Sequence, residues 1–160
     1  MRRWGRRSRQ AISTMISEIT FRSAEESDWP NVAELLTMSN LPLDGAREIL
    51  SGFVLAVRGD EIVACAAMER YGAVGLLRSV AVKEAERNTG LGKEVVKRAL
   101  SAAKESGMGE IVLLTETARG FFPKFGFREI TRAEVPEPAL ESVEFKSACP
   151  QSAAVMRMKL

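Results

Sequence analysis

The segment Arg87-Asn88-Thr89-Gly90-Leu91-Gly92 constrains this chain more than any other, because it joins an apolar strand ending near Val82 to an amphipathic helix that runs to about Ser106. Two glycines two apart let the backbone bend tightly and approach a ligand closely. At the positive N-terminus of a helix, consecutive N–H groups then converge on a phosphate. Arg87 and Lys93 flank the turn with cations suited to a pyrophosphate. A P-loop is excluded, since Arg87 stands where glycine is required and Glu94 where Ser or Thr is required. A dinucleotide fingerprint fails as well, because Val95 occupies the place of its third glycine or alanine. Taken alone, this R-x-x-G-x-G turn is also compatible with a strand-to-helix link that binds nothing.

A chain of 160 residues with 46% hydrophobic and 28% charged residues fits one domain with a proper core. It holds no apolar run of the roughly 18 residues needed to span a bilayer, and its start lacks the apolar core of a secretory signal. The two cysteines, Cys65 and Cys149, imply no disulfide framework, and reduced thiols fit a cytoplasmic protein. With no histidine at all, Ser-His-Asp triads, Cys-His pairs and histidine-ligated zinc are ruled out. Two thiols far apart give no ligand spacing, so no metal is expected. Proton transfer falls to Glu, Asp, Lys, Cys, the single Tyr71 or water.

Charge is uneven. Residues 1–14 carry five arginines (Arg2, Arg3, Arg6, Arg7 and Arg9) and no acid, so the chain's net +2 becomes 2 minus 5, or −3, over the remainder. One reading is a nucleic-acid or anionic-membrane arm. The preferred one is a disordered basic extension at 1–14, upstream of a domain at 15–160, with no nucleic-acid or membrane partner.

Glu18 to Arg22 alternates as a strand, and Ser27-Asp28-Trp29-Pro30 opens a helix to about Met38 with Val32, Leu35, Leu36 and Ser39 at helical spacing. A short helix is expected from Ala46 to Leu50. Phe53 to Val57, Ile62 to Glu69 and Val74 to Val82 read as strands whose short links require antiparallel neighbours. Val95, Val96, Ala99, Leu100 and Ala103 mark one helical face that Gly107 ends. Ile111 to Leu114 is a continuous apolar strand of the kind buried on both sides. Beyond it come a short aromatic helix over Ala118 to Lys124, a strand over Gly126 to Thr131, a helical turn or more within Pro136 to Phe145, and a last strand over Ala153 to Met158.

In this order the residues LLRSVAV, RNTGLG, the helix from Leu91, IVLLT and ARGFFPKFGF resemble the GNAT superfamily of acyl-CoA-dependent N-acetyltransferases over roughly Glu18 to Leu160. More narrowly, GLLRSVAV, LLTETARGFF, Val135-Pro136, Glu144-Phe145 and Cys149-Pro150 are similar to the arsenic-resistance N-acetyltransferases, a subfamily associated with arsenic-detoxification operons. The resemblance implies an α/β domain with a mixed, largely antiparallel twisted sheet flanked by helices. It also implies acetyl-CoA as co-substrate, held in a splay between the strands ending at Val82 and Thr115. Backbone groups of Val80, Ala81 and Val82 would pair with pantetheine amides. Arg87 and the amides of Asn88, Thr89, Gly90, Leu91, Gly92 and Lys93 would take the pyrophosphate. Thr115, Phe121 and Phe122 complete the cofactor set, and the N–H near Val80 is the implied oxyanion donor. Many family members carry a tyrosine general acid where this chain has Phe122, so that role is not carried over. Solvent, Tyr71 and Cys149 stay open as proton sources.

Arg78 interrupts an apolar strand, where an unpaired charge costs several kcal/mol. Strand alternation places Leu76, Arg78 and Val80 on one face, together with Cys65 and Glu69 of the preceding strand. On that face Arg78 would hold a carboxylate, phosphinate or arsenical oxyanion of the acceptor, or else pair with Glu69 or Glu116. Glu69 would collect the amine proton, or else be a solvated strand-end carboxylate. Asn40 and Leu41, with Pro42 and Asp44, form the loop that covers the acceptor in this fold. The expected function is acetyl transfer to the amine of a small, anionic, amino-acid-like molecule by a monomer or homodimer. The alternatives are acetylation of protein N-termini or lysines, and a non-catalytic acyl-CoA-binding regulatory module.

Overall fold

The computed structural model describes residues 18–160, so the basic stretch and the domain boundary expected at residue 15 lie outside the described residues. Links of two residues, Gly59-Asp60 and Gly72-Ala73, force β2 (Phe53–Arg58), β3 (Glu61–Tyr71) and β4 (Val74–Val82) into an antiparallel meander. β1 (Ile19–Ser23) pairs antiparallel outside β2. The next strand, β5 (Glu110–Thr115), runs parallel to β4, and the crossover this requires is α2 (Leu91–Glu105). β7 (Ala154–Lys159) and β6 (Arg128–Ile130) complete seven strands in the order β1-β2-β3-β4-β5-β7-β6, a mixed and largely antiparallel sheet.

Each face is covered by the helix whose apolar stripe matches it. On one side Val95, Val96, Ala99, Leu100 and Ala103 of α2 pack against Ala56, Val63, Ala64, Ala66 and Leu77. Opposite them, Val32, Leu35 and Leu36 of α1 (Trp29–Met38) meet Leu55, Val57, Cys65, Ala67 and Ala81. Each large side chain so buried contributes about 1.5–3 kcal/mol. A third cluster joins Val74, Leu76, Val112 and Val155 to Val135, Ala139 and Phe145. It fastens the late 3₁₀ and π turns, Glu137–Glu141 and Glu144–Ala148, to the sheet.

Several expected elements differ in length or type from what the sequence suggests. The aromatic helix shrinks to a 3₁₀ turn, Phe122–Phe125, with Pro123 in its first turn and Gly126 ending it at φ 108°. The strand over 126–131 contracts to Arg128–Ile130, and the helix at 46–50 is a kinked 3₁₀ segment, Arg47–Gly52.

One correction reaches the site. The β3–β4 register runs Ala67↔Arg78 and then Cys65↔Ala81, so Ser79 and Val80 together oppose Ala66. Ser79 bulges with φ +56°, and the buried Cys65 thiol donates to its carbonyl at 3.2 Å. Beyond the bulge the alternation inverts. Val80 and Val82 pack with Leu77 on the α2 side, away from Leu76 and Arg78, so Val80 does not share the face of Arg78.

Candidate active site

The glycine turn folds as its residues dictate. Gly90, at φ +88°, is the residue before α2, a backbone conformation that side chains with a Cβ adopt only under strain. After it the chain enters the helix, where the first amides have no carbonyl one turn back. Among the described residues no backbone amide from Asn88 to Lys93 donates to a backbone carbonyl; the next to do so is that of Glu94, to Gly90 O at 3.0 Å. Four amides at the positive end of a fifteen-residue helix are a fitting receptor for a diphosphate. Arg87 Nε donates to Val82 O at 3.3 Å and Arg58 pairs with Glu86 at 2.9 Å, so the turn is fastened to the sheet on both sides.

Beside this turn β4 and β5 part. Their pairing covers Val74↔Glu110, Gly75↔Ile111 and Leu76↔Val112 and then stops, while β4 continues to Val82 and β5 to Thr115. The gap opens into a cleft of about 930 Å³ that runs from the glycine turn to the loop Ser39–Pro42. Its apolar wall includes Phe121, which meets Phe122 edge to face at 5.1 Å, and Phe125. The unpaired edge of β4 is available for an extended amide-bearing chain to add as a strand.

At the far end of the cleft stands Arg78, with its side chain 1% exposed and its donors engaged. Nη1 meets Glu69 Oε2 at 2.9 Å and Nε lies 3.2 Å from Glu144 Oε1. Nε also donates to Ser79 Oγ at 3.1 Å, and Nη2 donates to Pro42 O at 3.3 Å, which fixes the loop after α1. The expected Arg78–Glu69 pair is therefore present, but the second carboxylate is Glu144 in place of Glu116. The network extends outward at both ends: Tyr71 OH donates to Glu69 Oε1 at 2.5 Å, and Cys149 Sγ donates to Glu144 Oε2 at 2.6 Å. Burial first, and then the Glu69 carboxylate, push the Tyr71 phenol up to about 12. Burial and Glu144 likewise push the Cys149 thiol up to about 12.

Of the residues expected to meet acetyl-CoA, Val80, Val82, Arg87, Asn88, Gly90, Leu91, Gly92, Lys93, Thr115, Phe121 and Phe122 line this cleft. The side chains of Ala81 and Thr89 lie off its wall, that of Ala81 buried on the α1 side and Thr89 Oγ1 turned back to Glu86 O, while the roles expected of both belong to their main-chain groups. On the acceptor side Arg78, Asn40 and Leu41 line the cleft, whereas Glu69 lies behind Arg78 with both oxygens taken. Beside Arg78 the carboxylate that does reach the wall is Glu144, to which no pattern in the sequence assigns a role. Glu116 lines it too. Among the described residues no group of three or more Cys, Asp and Glu side chains is placed to hold a metal ion, and no helix is long and apolar enough to cross a membrane.

A strand, a glycine turn on a helix N-terminus, and a splayed parallel pair define an acyl-CoA-binding N-acetyltransferase fold. Residues 50–129 match the acetyltransferase (GNAT) domain, half of the chain, and the protein belongs to that family. An uncharacterized N-acetyltransferase of Chlorobaculum tepidum is 29% identical over 133 residues, 82% of this chain and 79% of that protein. Rv2747 of Mycobacterium tuberculosis, solved in complex with CoA and NLQ, superposes with a TM-score of 0.74 at 25% identity, over 88% of this chain and 99% of its own. The N-acetylglutamate synthase of Neisseria gonorrhoeae, complexed with coenzyme A and N-acetyl-glutamate, gives a TM-score of 0.76 at 18% identity, over 89% of this chain and 35% of the synthase, a likeness of fold alone.

Proposed function

We propose that this N-acetyltransferase, as a domain spanning residues 15–160, moves the acetyl group of acetyl-CoA to the amine of a small amino-acid-like acceptor carrying an anionic group. The observation that carries the reading is the single cleft lined both by Asn88 and Gly90 to Lys93, whose amides make no backbone hydrogen bond, and by Arg78. Among the described residues, Arg78 is the one cation that the acceptor end of that cleft receives from the sheet. An incoming oxyanion would compete with Glu144 for Nε and with Pro42 O for Nη2, a bidentate exchange that arginine geometry permits. The resemblance to the arsenic-resistance N-acetyltransferases supports glutamate-like phosphinates or arsenicals within this class, and N-acetyl-glutamate bound by the Neisseria synthase agrees with an amino-acid acceptor.

In this reading the backbone N–H near Val80, at the bulge, stabilises the oxyanion of the tetrahedral intermediate. The amides of Asn88–Lys93 fix the diphosphate, and the aromatic wall packs pantetheine. Glu69 acts by holding Arg78, since its own oxygens face Arg78 and Tyr71. A panel of amines in anionic and neutral pairs, scored by released CoA thiol, tests the proposal. Turnover confined to neutral or peptide amines defeats the anionic-acceptor reading. Phe122, buried where a phenol would be needed, favours a second reading as a non-catalytic acyl-CoA-binding module. CoA binding without thiol release from any amine would select it.

A further inference from the structure

We propose that Cys149 and Glu144 form the proton-transfer pair of the acetyl transfer, Glu144 taking the amine proton and Cys149 supplying the proton that the departing CoA sulfur needs. The inference rests on the transferase reading above.

The local cause is the π turn Glu144–Ala148. Its wide i to i+5 bond, Cys149 N to Glu144 O at 3.2 Å, places the two residues side by side where a tighter helix would carry them apart. Their side chains then meet directly, Sγ to Oε2 at 2.6 Å, and both line the cleft. Glu144 is buried and oriented from two further directions. Arg78 Nε lies 3.2 Å from Oε1, and the residue's own amide donates to Ser142 Oγ at 3.2 Å. Phe145, one residue on, sits in the third core cluster and holds the turn against the sheet.

Elimination leads to the same pair. The chain has no histidine, and its one tyrosine, Tyr71, donates to Glu69 and does not line the cleft. Phe122 carries no proton. The other titratable groups on the cleft wall are Glu86, Arg87 and Lys93 at the glycine turn, Lys124 on the aromatic turn, Arg78, and Glu116, which follows β5. Among the described residues on that wall, Glu144 and Cys149 are the one carboxylate and thiol that share a hydrogen bond.

The step balances. As the amine nitrogen bonds to the thioester carbonyl carbon, its proton passes to Glu144. As the carbon–sulfur bond breaks, the Cys149 thiol proton passes to the CoA sulfur. The proton on Glu144 then returns to Cys149 along their hydrogen bond, and both groups are restored. Burial and Glu144 keep the Cys149 thiol protonated at neutral pH, so its proton is in place when the CoA sulfur departs.

Two measurements test this, with Cys149→Ala, Cys149→Ser and Glu144→Gln. Iodoacetamide labelling read by mass spectrometry needs no acceptor. CoA should slow labelling of Cys149, Glu144→Gln should speed it by lowering the thiol pKa, and buried Cys65 should stay unlabelled. In steady-state assays with the best amine of the panel, Cys149→Ala should lower kcat by about 100-fold with CoA affinity within about twofold. Cys149→Ser, which keeps a donor on Glu144, should recover part of that loss, and Glu144→Gln should lower kcat at least as far as Cys149→Ala. Wild-type kcat in Cys149→Ala, or labelling of Cys149 that CoA leaves unchanged, overturns the pair. Absence of CoA release by the wild-type enzyme with every amine marks failure of the transferase reading instead.

Discussion

Arg78 Nε and Glu144 Oε1 lie 3.2 Å apart, which ties β4 to a turn near the end of the chain across the floor of the cleft. With Glu69 on its other side, Arg78 is the single cation between two buried carboxylates. Removing it leaves both without a cationic partner, held only by the neutral donors Tyr71 and Cys149. Arg78→Ala should therefore cost about 3–5 kcal/mol in urea unfolding at neutral pH, and a cost below about 1 kcal/mol would contradict the network. The milder Arg78→Lys keeps the charge but loses the fork. It should raise KM for an anionic amine far more than for its neutral analogue, and equal effects on both would defeat an oxyanion contact.

At the entrance to α1, Asp28 accepts from Arg22 at 2.7 and 2.8 Å and from the Glu25 amide at 2.7 Å. The Arg22 hydrogen bond holds its carboxyl down at about 2, below the ordinary 3.8. A carboxylate so depressed stabilises the fold fully above its unfolded value, and the contribution is lost as pH falls toward 2. With Arg22 partly exposed, Asp28→Asn should cost about 1–2 kcal/mol at pH 7. That difference should shrink toward zero in urea unfolding near pH 2, and a gap independent of pH would contradict the pairing.

The only tyrosine gives a clean optical signal. Phenolate absorbance of the folded protein should rise with a midpoint near 12 and not near 10, because burial and Glu69 both favour the neutral phenol. The stabilisation is complete below pH 10 and is lost as pH climbs through 12. Glu69→Gln should move the midpoint back toward 10. A wild-type midpoint at 10 would place Tyr71 outside the network.

What the sequence disclosed, and what it hid, divides by the range of the forces involved. The β2–β3–β4 meander, α2 and the glycine turn are written in local spacing and short links, so they could be read residue by residue. The bulge at Ser79 could not, because nothing in L-R-S-V-A-V marks a residue with φ +56°. Simple alternation consequently put Val80 on the wrong face. Glu144 reaches Arg78 only because Val135, Ala139 and Phe145 dock on Leu76 and Val112, a long-range packing event with no periodic signature. The partner of Arg78 was accordingly half visible: Glu69 by strand register, Glu144 not at all.

Glycine at position 92 sits close against the cleft wall. A Cβ there would lie 3.2 Å from Val82 Cγ2 and 3.7 Å from Phe121 Cζ, so the Val82 side chain would have to give by a few tenths of an ångström and the bulk of Gly92→Val would crowd the cleft wall. At Gly90 a Cβ meets no atom within 4 Å, and the objection is the backbone at φ +88°. Both valine variants should weaken CoA binding by about tenfold or more, or about 1.4 kcal/mol, in calorimetry. Unchanged affinity in both would refute the cradle.

The grip of main-chain amides on the diphosphate is tested most directly by titrating ¹⁵N-labelled protein with CoA and following each amide resonance. The account predicts that Asn88 through Lys93 shift together and saturably, while the amides of α1 remain in place. Saturable binding that leaves those six resonances unmoved would contradict it.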